Sequence, residues 1–406
     1  MNRGVSAVIV GIVGFGLGAA VQRWYDSSRP APQPVTQAAK PPVEVAPAAV
    51  AVAKRITVPA EQFEREPTWA YGYDAPPKPG ETAPPPAAQA RNAPAAVDPE
   101  QAKPRRIDGS PASYSFLDVR DGHNVIDWFP NDHPPMPNVV KHGPARMGDT
   151  ARGCGSCHLP TGKGRPENAP TAGLPAAYIL RQIHDFRSGL RYTSDPRKSN
   201  TNLMIELAKS MTEEELNAAA GYFSSLEWSP WIRVVETKLV PKTRIAGGMF
   251  HATETARTEP IAGRIIEVPE NDEQVEKYRN PHVGFVAYVP TGSIKAGEAL
   301  VTTGGMRIVG NQIVQGKTTA CGTCHGADLM GVGDVPPIAG RSPSYIVRQM
   351  WDIQSGTRNG ASAQLMKLVV ANLTKDDMVS IAAYVASRVP PPHAPTAAAT
   401  QTVAQR

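Results

Sequence analysis

Ala320 to Gly326 reads ACGTCHG, and Gly153 to Leu159 reads GCGSCHL. Each is a Cys-x-x-Cys with a histidine directly behind it. That spacing serves covalent haem attachment, half of a zinc site or a redox dithiol, so one copy alone decides nothing. The surroundings decide. A shift of 167 positions carries the first motif onto the second and YILRQIHDFRSGLR (Tyr178 to Arg191) onto YIVRQMWDIQSGTR (Tyr345 to Arg358), with eight of fourteen positions identical. The same shift pairs PTAG at Pro170 with PIAG at Pro337. Beyond them the register slips by five residues, and LMIELAKSMTEEELNAAAGYFSSL then matches LMKLVVANLTKDDMVSIAAYVASR. The chain therefore holds one module of about 95 residues twice.

Both copies read as helical. Tyr178 to Gly189 and Tyr345 to Gly356 space apolar residues three or four apart and end on glycine. Thr212 with Glu215 and Thr374 with Asp377 form Thr-x-x-acid start signals ahead of Ala-rich amphipathic runs. Between the modules the texture changes to short β-branched and aromatic runs such as WIRVVET, GRIIEVP and VGFVAYVP, which predict a small strand-rich insert joining or covering the modules.

Outside the modules the composition is different. Pro30 to Pro104 carries 17 of the chain's 41 prolines and no apolar period, so it reads as an extended spacer unable to bury a core. Within it TWAYGYDAPP (Thr68 to Pro77) is an aromatic island, read as local clustering ahead of a docking spot. Gly4 to Val21 is uncharged between Arg3 and Arg23. Eighteen residues in a helix reach roughly 27 Å, enough to cross a bilayer core. An uncleaved signal-anchor is preferred over a cleaved signal peptide, and either sends the rest of the chain out of the cytoplasm. The formal charge of +5 over 406 residues comes without long basic runs, so nothing points to nucleic acid. Four cysteines in two regular pairs are too few for a secreted disulfide scaffold.

The repeat arbitrates between the three chemistries. A redox dithiol follows a strand in an α/β fold, and neither motif does; the histidines would also be unexplained. A Cys₄ zinc site would pool ligands from two copies and leave both histidines idle. Covalent haem uses every residue: Cys154, Cys157 and His158 for one group, Cys321, Cys324 and His325 for the other. A sixth iron ligand common to both copies should sit at matched positions. Met204 and Met366 are the only methionines that coincide; Met211 faces Leu373, Met350 faces Ile183 and Met378 faces Leu216. His184, the rival, faces Trp351, which cannot ligate. His/Met ligation fills both axial positions and raises the potential, so the expected chemistry is one-electron transfer. The carbonyls of Pro170 and Pro337 are candidate acceptors for the proximal imidazoles. Arg191 and Arg358, or Arg181 and Arg348, are candidate propionate partners. Tyr222 and Tyr384, matched on the last helix, are expected beside the haems.

Cys-x-x-Cys-His, the P-x-A-G turn, Y-x-x-R-Q with its G-x-R end, and M-x₆-[ML]-T-x-[ED] together resemble the class I cytochromes c, specifically dihaem members built of two fused modules. The resemblance covers roughly 130–228 and 291–388. It implies a mainly α fold with few strands, two covalently bound c-type haems exposed at their edges, and periplasmic electron transfer. Compact dihaem members join their modules by a short linker, whereas residues 229–290 intervene here. The expected organisation is a transmembrane segment (1–24), a Pro/Ala-rich tether (25–110), a first cytochrome c domain with an N-terminal extension (111–228), the insert (229–290), a second cytochrome c domain (291–389) and a disordered tail (390–406). The resemblance implies a carrier on the periplasmic side of the bacterial inner membrane, working between a redox protein donor and acceptor such as a dehydrogenase or terminal oxidase. The soluble periplasmic form is the alternative. The rival function is a dihaem enzyme, a peroxidase or sulfur-compound dehydrogenase, with one open haem.

Overall fold

The computed structural model describes residues 66–78, 98–253 and 257–389. The apolar segment at 4–21, most of the tether and the 390–406 tail lie outside the described residues. Among the described residues no helix is long and apolar enough to cross a membrane.

The first module carries α1 (Phe116–Arg120), α2 (Asn138–His142), α3 (Gly155–His158), α4 (Ala176–Arg187), α5 (Ser199–Ser210) and α6 (Glu213–Ser225). The insert carries β1 to β7 (Ile232–Thr237, Leu239–Pro241, Thr243–Ala246, Met249–Ala252, Thr258–Pro260, Ile266–Pro269 and Phe285–Pro290), with α7 (Asp272–Glu276) before the last strand. The second module carries α8 (Ser293–Thr303), a hairpin of β8 (Arg307–Val309) and β9 (Gln312–Val314), then α9 (Gly322–His325), α10 (Pro343–Gln354), α11 (Ala363–Val370) and α12 (Lys375–Ser387).

The start signals of α6 and α12 work as capping boxes. Thr212 Oγ1 accepts from the Glu215 N–H at 3.2 Å while the Glu215 carboxylate accepts from the Thr212 N–H at 2.8 Å. Thr374 and Asp377 repeat this at 3.2 and 2.8 Å. Each satisfies two backbone donors that a helix start leaves unpaired. In the second module α8 crosses α12 so closely that a Cβ on Gly297 would lie 1.9 Å from the Ser380 carbonyl oxygen. Only glycine permits that approach.

In the insert, β1 runs parallel to β7, with Ile232 opposite Phe285, and β6 pairs antiparallel on the other side of β7. This sheet shares a core with the second module, joining Val268, Val286 and Val289 to Val347, Ile381 and Tyr384. Glu267 on β6 is buried, yet it is satisfied: its carboxylate accepts from the Ser344 N–H at 2.7 Å and the Ser342 hydroxyl at 2.8 Å, at the start of α10. The loop after α7 reaches the first module instead. Trp128 Nε1 donates to the Tyr278 carbonyl at 2.7 Å, and Lys163 Nζ donates to that of Pro281 at 3.3 Å.

The aromatic island corrects the spacer reading. Thr68–Tyr71 forms a 3₁₀ turn whose residues are all buried, with Trp69 and Tyr71 in the second module's core. Tyr71 donates its hydroxyl to Asp352 Oδ1 at 2.7 Å. A proline-rich context hides such an anchor, because apolar period is the usual signal of burial and a single turn is too short to show one.

Gly297→Val should destabilise the haem-loaded protein by about 2 kcal/mol or more through overpacking against Ser380. Thermal unfolding followed by circular dichroism measures this; an unchanged midpoint would show that α8 and α12 can move apart freely.

Candidate haem sites

Each Cys-x-x-Cys-His forms one helical turn, with the second cysteine's N–H and the histidine's N–H returned to the first cysteine's carbonyl. The loop that follows is the same in both copies. Gly164 N–H donates to the His158 carbonyl at 2.8 Å and Gly331 N–H to that of His325 at 2.7 Å. Ala172 N–H then bonds Gly162, as Ala339 N–H bonds Leu329. This fold-back aims each imidazole: His158 Nδ1 lies 2.8 Å from the Ala169 carbonyl oxygen, and His325 Nδ1 lies 2.8 Å from that of Pro336. A carbonyl only accepts, so Nδ1 carries the proton and Nε2 keeps its lone pair for a metal. Burial lowers the pKa of both histidines, which keeps the rings neutral. The acceptors are therefore Ala169 and Pro336, one residue ahead of the expected Pro170 and Pro337. The prolines set the bend, and the carbonyl that faces the ring belongs to the residue entering it.

In the first module these groups open onto a cleft of about 140 Å³, lined by Cys154, Cys157, His158, Met204, Met211 and Phe223 among others. Met204 comes from α5, which is tied back to the motif: Asn200 Nδ2 donates to Asn168 Oδ1 at 2.8 Å, and Asn168 Nδ2 donates to the Cys157 carbonyl at 3.1 Å. In the second module Met366, on α11, and Cys321 pack against one core.

The thiols rule on the rival chemistries. All four cysteines are unpaired. Burial pushes the Cys154 thiol up to about 12 and that of Cys321 to about 11, the opposite of a redox-active thiolate. Nor do the four gather round a zinc. Among the described residues the one group of three or more metal-capable side chains is His251, Asp272 and Glu276 in the insert.

The modules meet across a near-symmetric seam made of matched residues. Arg191 and Arg358 face each other through an isolated antiparallel bridge. Arg191 donates to Gln182 Oε1 and Gln349 Oε1, both at 2.9 Å. Arg358 donates to Gln349 Oε1 at 3.2 Å, to Gln182 Oε1 at 2.8 Å and to the Tyr178 hydroxyl at 2.8 Å. All these acceptors are neutral. Burial and then the neighbouring Arg358 pull the Arg191 pKa down. Burial alone would raise the Tyr178 hydroxyl, but the two guanidiniums outweigh it and the net shift is downward. Desolvated cations without a carboxylate are costly unless an anion completes them. Arg191, Tyr345 and Gln349 also line the first cleft, so such an anion can come from a group seated there.

No protein-family model matches the chain. It is 23% identical to cytochrome c4 of Pseudomonas aeruginosa over 248 residues, 59% of this chain and 88% of that protein. It is 25% identical to a thiosulfate dehydrogenase electron acceptor of Thiomonas intermedia over 253 residues, 61% of this chain and 83% of that one. Cytochrome c-554(548) of Halomonas halodenitrificans is 33% identical over 73 residues, 18% of this chain and 88% of the relative. The chain belongs to the dihaem class I cytochromes c. It carries two covalently bound c-type haems and serves as an electron carrier. Among solved structures, cytochrome c4 of Acidithiobacillus ferrooxidans is 22% identical, covering 58% of this chain and 98% of that one at a TM-score of 0.35.

The residues of the cytochrome fit the group. Two thiols, a lone-pair imidazole nitrogen and a thioether surround the first cleft, and the guanidiniums of Arg191 and Arg348 stand at its rim. The matched tyrosines differ in role. Tyr222 donates to the Pro160 carbonyl just past the first motif at 2.7 Å, whereas Tyr384 packs in the second module's core beside Gly297. Matched arginines also diverge. Arg181 pairs with Asp334 at 3.0 Å near the surface, while Arg348 is buried on the first cleft and donates to the Pro166 carbonyl at 3.2 Å. His184 is exposed, 3.5 Å from Glu213.

Two groups escaped sequence reasoning. Lys198, buried on the first cleft, has its pKa pulled down to about 7 by burial and then by Arg348. It stands in the stretch that makes the first module's methionine loop five residues longer, so no matched position flagged it. Arg341, also buried, lies just past PIAG.

Gln182→Leu removes one of the two acceptors that both seam guanidiniums share. The loss should be about 3 kcal/mol, since two buried charged donors lose a partner at once. Chemical denaturation of the haem-loaded protein measures it; a loss within error of zero would mean that water replaces the amide.

Proposed function

We propose that Cys154 and Cys157 bind the first haem through thioethers, with His158 and Met204 as axial ligands, and that Cys321, Cys324, His325 and Met366 do the same for the second. The duplicated imidazole geometry carries this reading: two histidines, each with Nδ1 held by a carbonyl 11 residues on, present Nε2 in the same way. Once bound, such haems accept and release one electron each without an open iron position. Arg191 and Arg358 are the propionate partners in this reading, supported by their lack of any charged acceptor.

The carrier works on the periplasmic side and takes electrons from a dehydrogenase. A relative named as a thiosulfate dehydrogenase electron acceptor supports that class of donor. The apolar N-terminal segment and the proline-rich stretch behind it support a tethered form. Membrane fractionation of the native protein separates this from a soluble one.

Haem staining after full denaturation should follow the polypeptide, at two haems per chain by the pyridine haemochrome assay. Met204→His and Met366→His should each lower the potential of one haem and abolish one sulfur-to-iron charge-transfer band. Unmoved potentials in both variants would refute the axial assignment.

A further inference from the structure

The seam breaks its own symmetry at one buried charge. Arg341 belongs to the second module, directly behind PIAG, yet both of its terminal nitrogens serve the first. Nη1 donates to the Pro170 carbonyl at 2.9 Å and Nη2 to the Ala172 carbonyl at 3.0 Å. The guanidinium lies over the Trp228 ring, 4.6 Å from its centroid, and its Nε has no hydrogen-bond partner. Pro170 follows Ala169, whose carbonyl holds the His158 ring. A fixed cation thus sits on the peptide next to the one that orients the first imidazole. By the 167-residue shift the position matched to Arg341 is Leu174, which can neither donate nor carry charge. Among the described residues no cation donates to the matched carbonyls of the second module's PIAG turn.

The loops ahead of these turns lean the same way. The first carries Lys163, Arg165 and Glu167 where the second carries Met330, Val332 and Asp334. Glu167 is ion-paired to Arg165 at 2.7 Å, which leaves Lys163 in excess. Lys163 and Arg165 are half-buried and Glu167 is buried, whereas Asp334 of the second loop is exposed; Arg341 is only 3% exposed and acts in low dielectric.

We propose that Arg341 is a positioning and tuning residue for the first module's haem, raising its potential from across the seam while leaving the other haem unaided. This rests on the haem attachment proposed above. The direction follows from charge: a ferric haem carries one more positive charge than a ferrous one, so a nearby cation disfavours the oxidised form. Hydrogen-bonding the turn also steadies the Ala169 carbonyl that orients the His158 ring.

The test is a redox titration of the intact protein, with each wave assigned to its module by nuclear Overhauser contacts from haem methyls to assigned side chains. In Arg341→Leu the first module's haem should lose its electron more readily, its share of a single electron relative to the other haem falling about tenfold. Arg341→Lys should restore most of that share. Arg341→Gln keeps a donor for the carbonyls without the charge and should behave like Leu; it also remains informative if Leu fails to fold. Equal shifts at both haems, or none, with two haems still bound per chain, would overturn the role of Arg341. A chain that never carried two haems in its native form would instead overturn the attachment itself.

Discussion

Two desolvated guanidiniums facing each other hold the two halves of this molecule in register. Arg191 and Arg358 share the amide oxygens of Gln182 and Gln349, one from each module, so neither arginine is satisfied by its own half. Separating the modules would return two charges to water but leave each glutamine with half its donors. Keeping them together concentrates positive charge in a dry place, which the carboxylates of Asp185 and Asp352 offset in part. The cleft of the first module begins where the seam ends, and Tyr345 and Gln349 of the second module form part of its wall. A haem seated in this cleft, as proposed, would stabilise the seam that encloses it.

Around that axis the two modules differ in ways their shared ancestry of sequence does not suggest. Matched helices place Arg181 on the surface with Asp334 and Arg348 in the interior against backbone carbonyls. Matched turns are followed by Leu174 in one copy and Arg341 in the other. The longer stretch before Met204 brings the buried Lys198 to the first cleft and adds the buried Asp195–Arg197 pair behind it, where the second module has a shorter crossing. A duplicated scaffold thus gives two copies of the same ligand geometry in unlike electrostatic surroundings, which lets two chemically identical groups differ in their readiness to hold an electron.

The parts legible in sequence were those that repeat or that signal locally. The Thr212/Glu215 and Thr374/Asp377 caps announce themselves within four residues, and the helix-ending Gly189 and Gly356 need only their left-handed conformation. The identity of Tyr178, Gln182 and Arg191 with Tyr345, Gln349 and Arg358 was visible, but their mutual contact was not, because a repeat does not say how its copies pack. Arg341 looked like an ordinary residue after a turn. Its partners lie about 170 positions back, and no local pattern encodes that distance. The buried turn at Thr68–Tyr71 failed for the opposite reason: its surroundings gave a strong signal of extended spacer that three aromatic residues override once a core is there to receive them.

The long insert poses a question of geometry that its topology answers. Residues 229–290 separate modules that nevertheless pack as tightly as their symmetric contacts require. The first and last strands of the insert, β1 and β7, are neighbours in one sheet and run in the same direction, with Ile232 beside Phe285 and Thr237 beside Pro290. Adjacent strands lie about 4.8 Å apart. The chain therefore leaves β7 close to where it left β1, having used everything between to wrap the second module and reach back to the first. As a connection, the insert spans little more than one strand. Length added in this way need not strain the seam, since loop closure is completed inside the sheet and not across the modules. The same economy explains why β6 is free to bury Glu267 at the head of α10: the sheet braces the helix that carries Tyr345, Gln349 and Arg348, and so holds the second module's half of the seam in place.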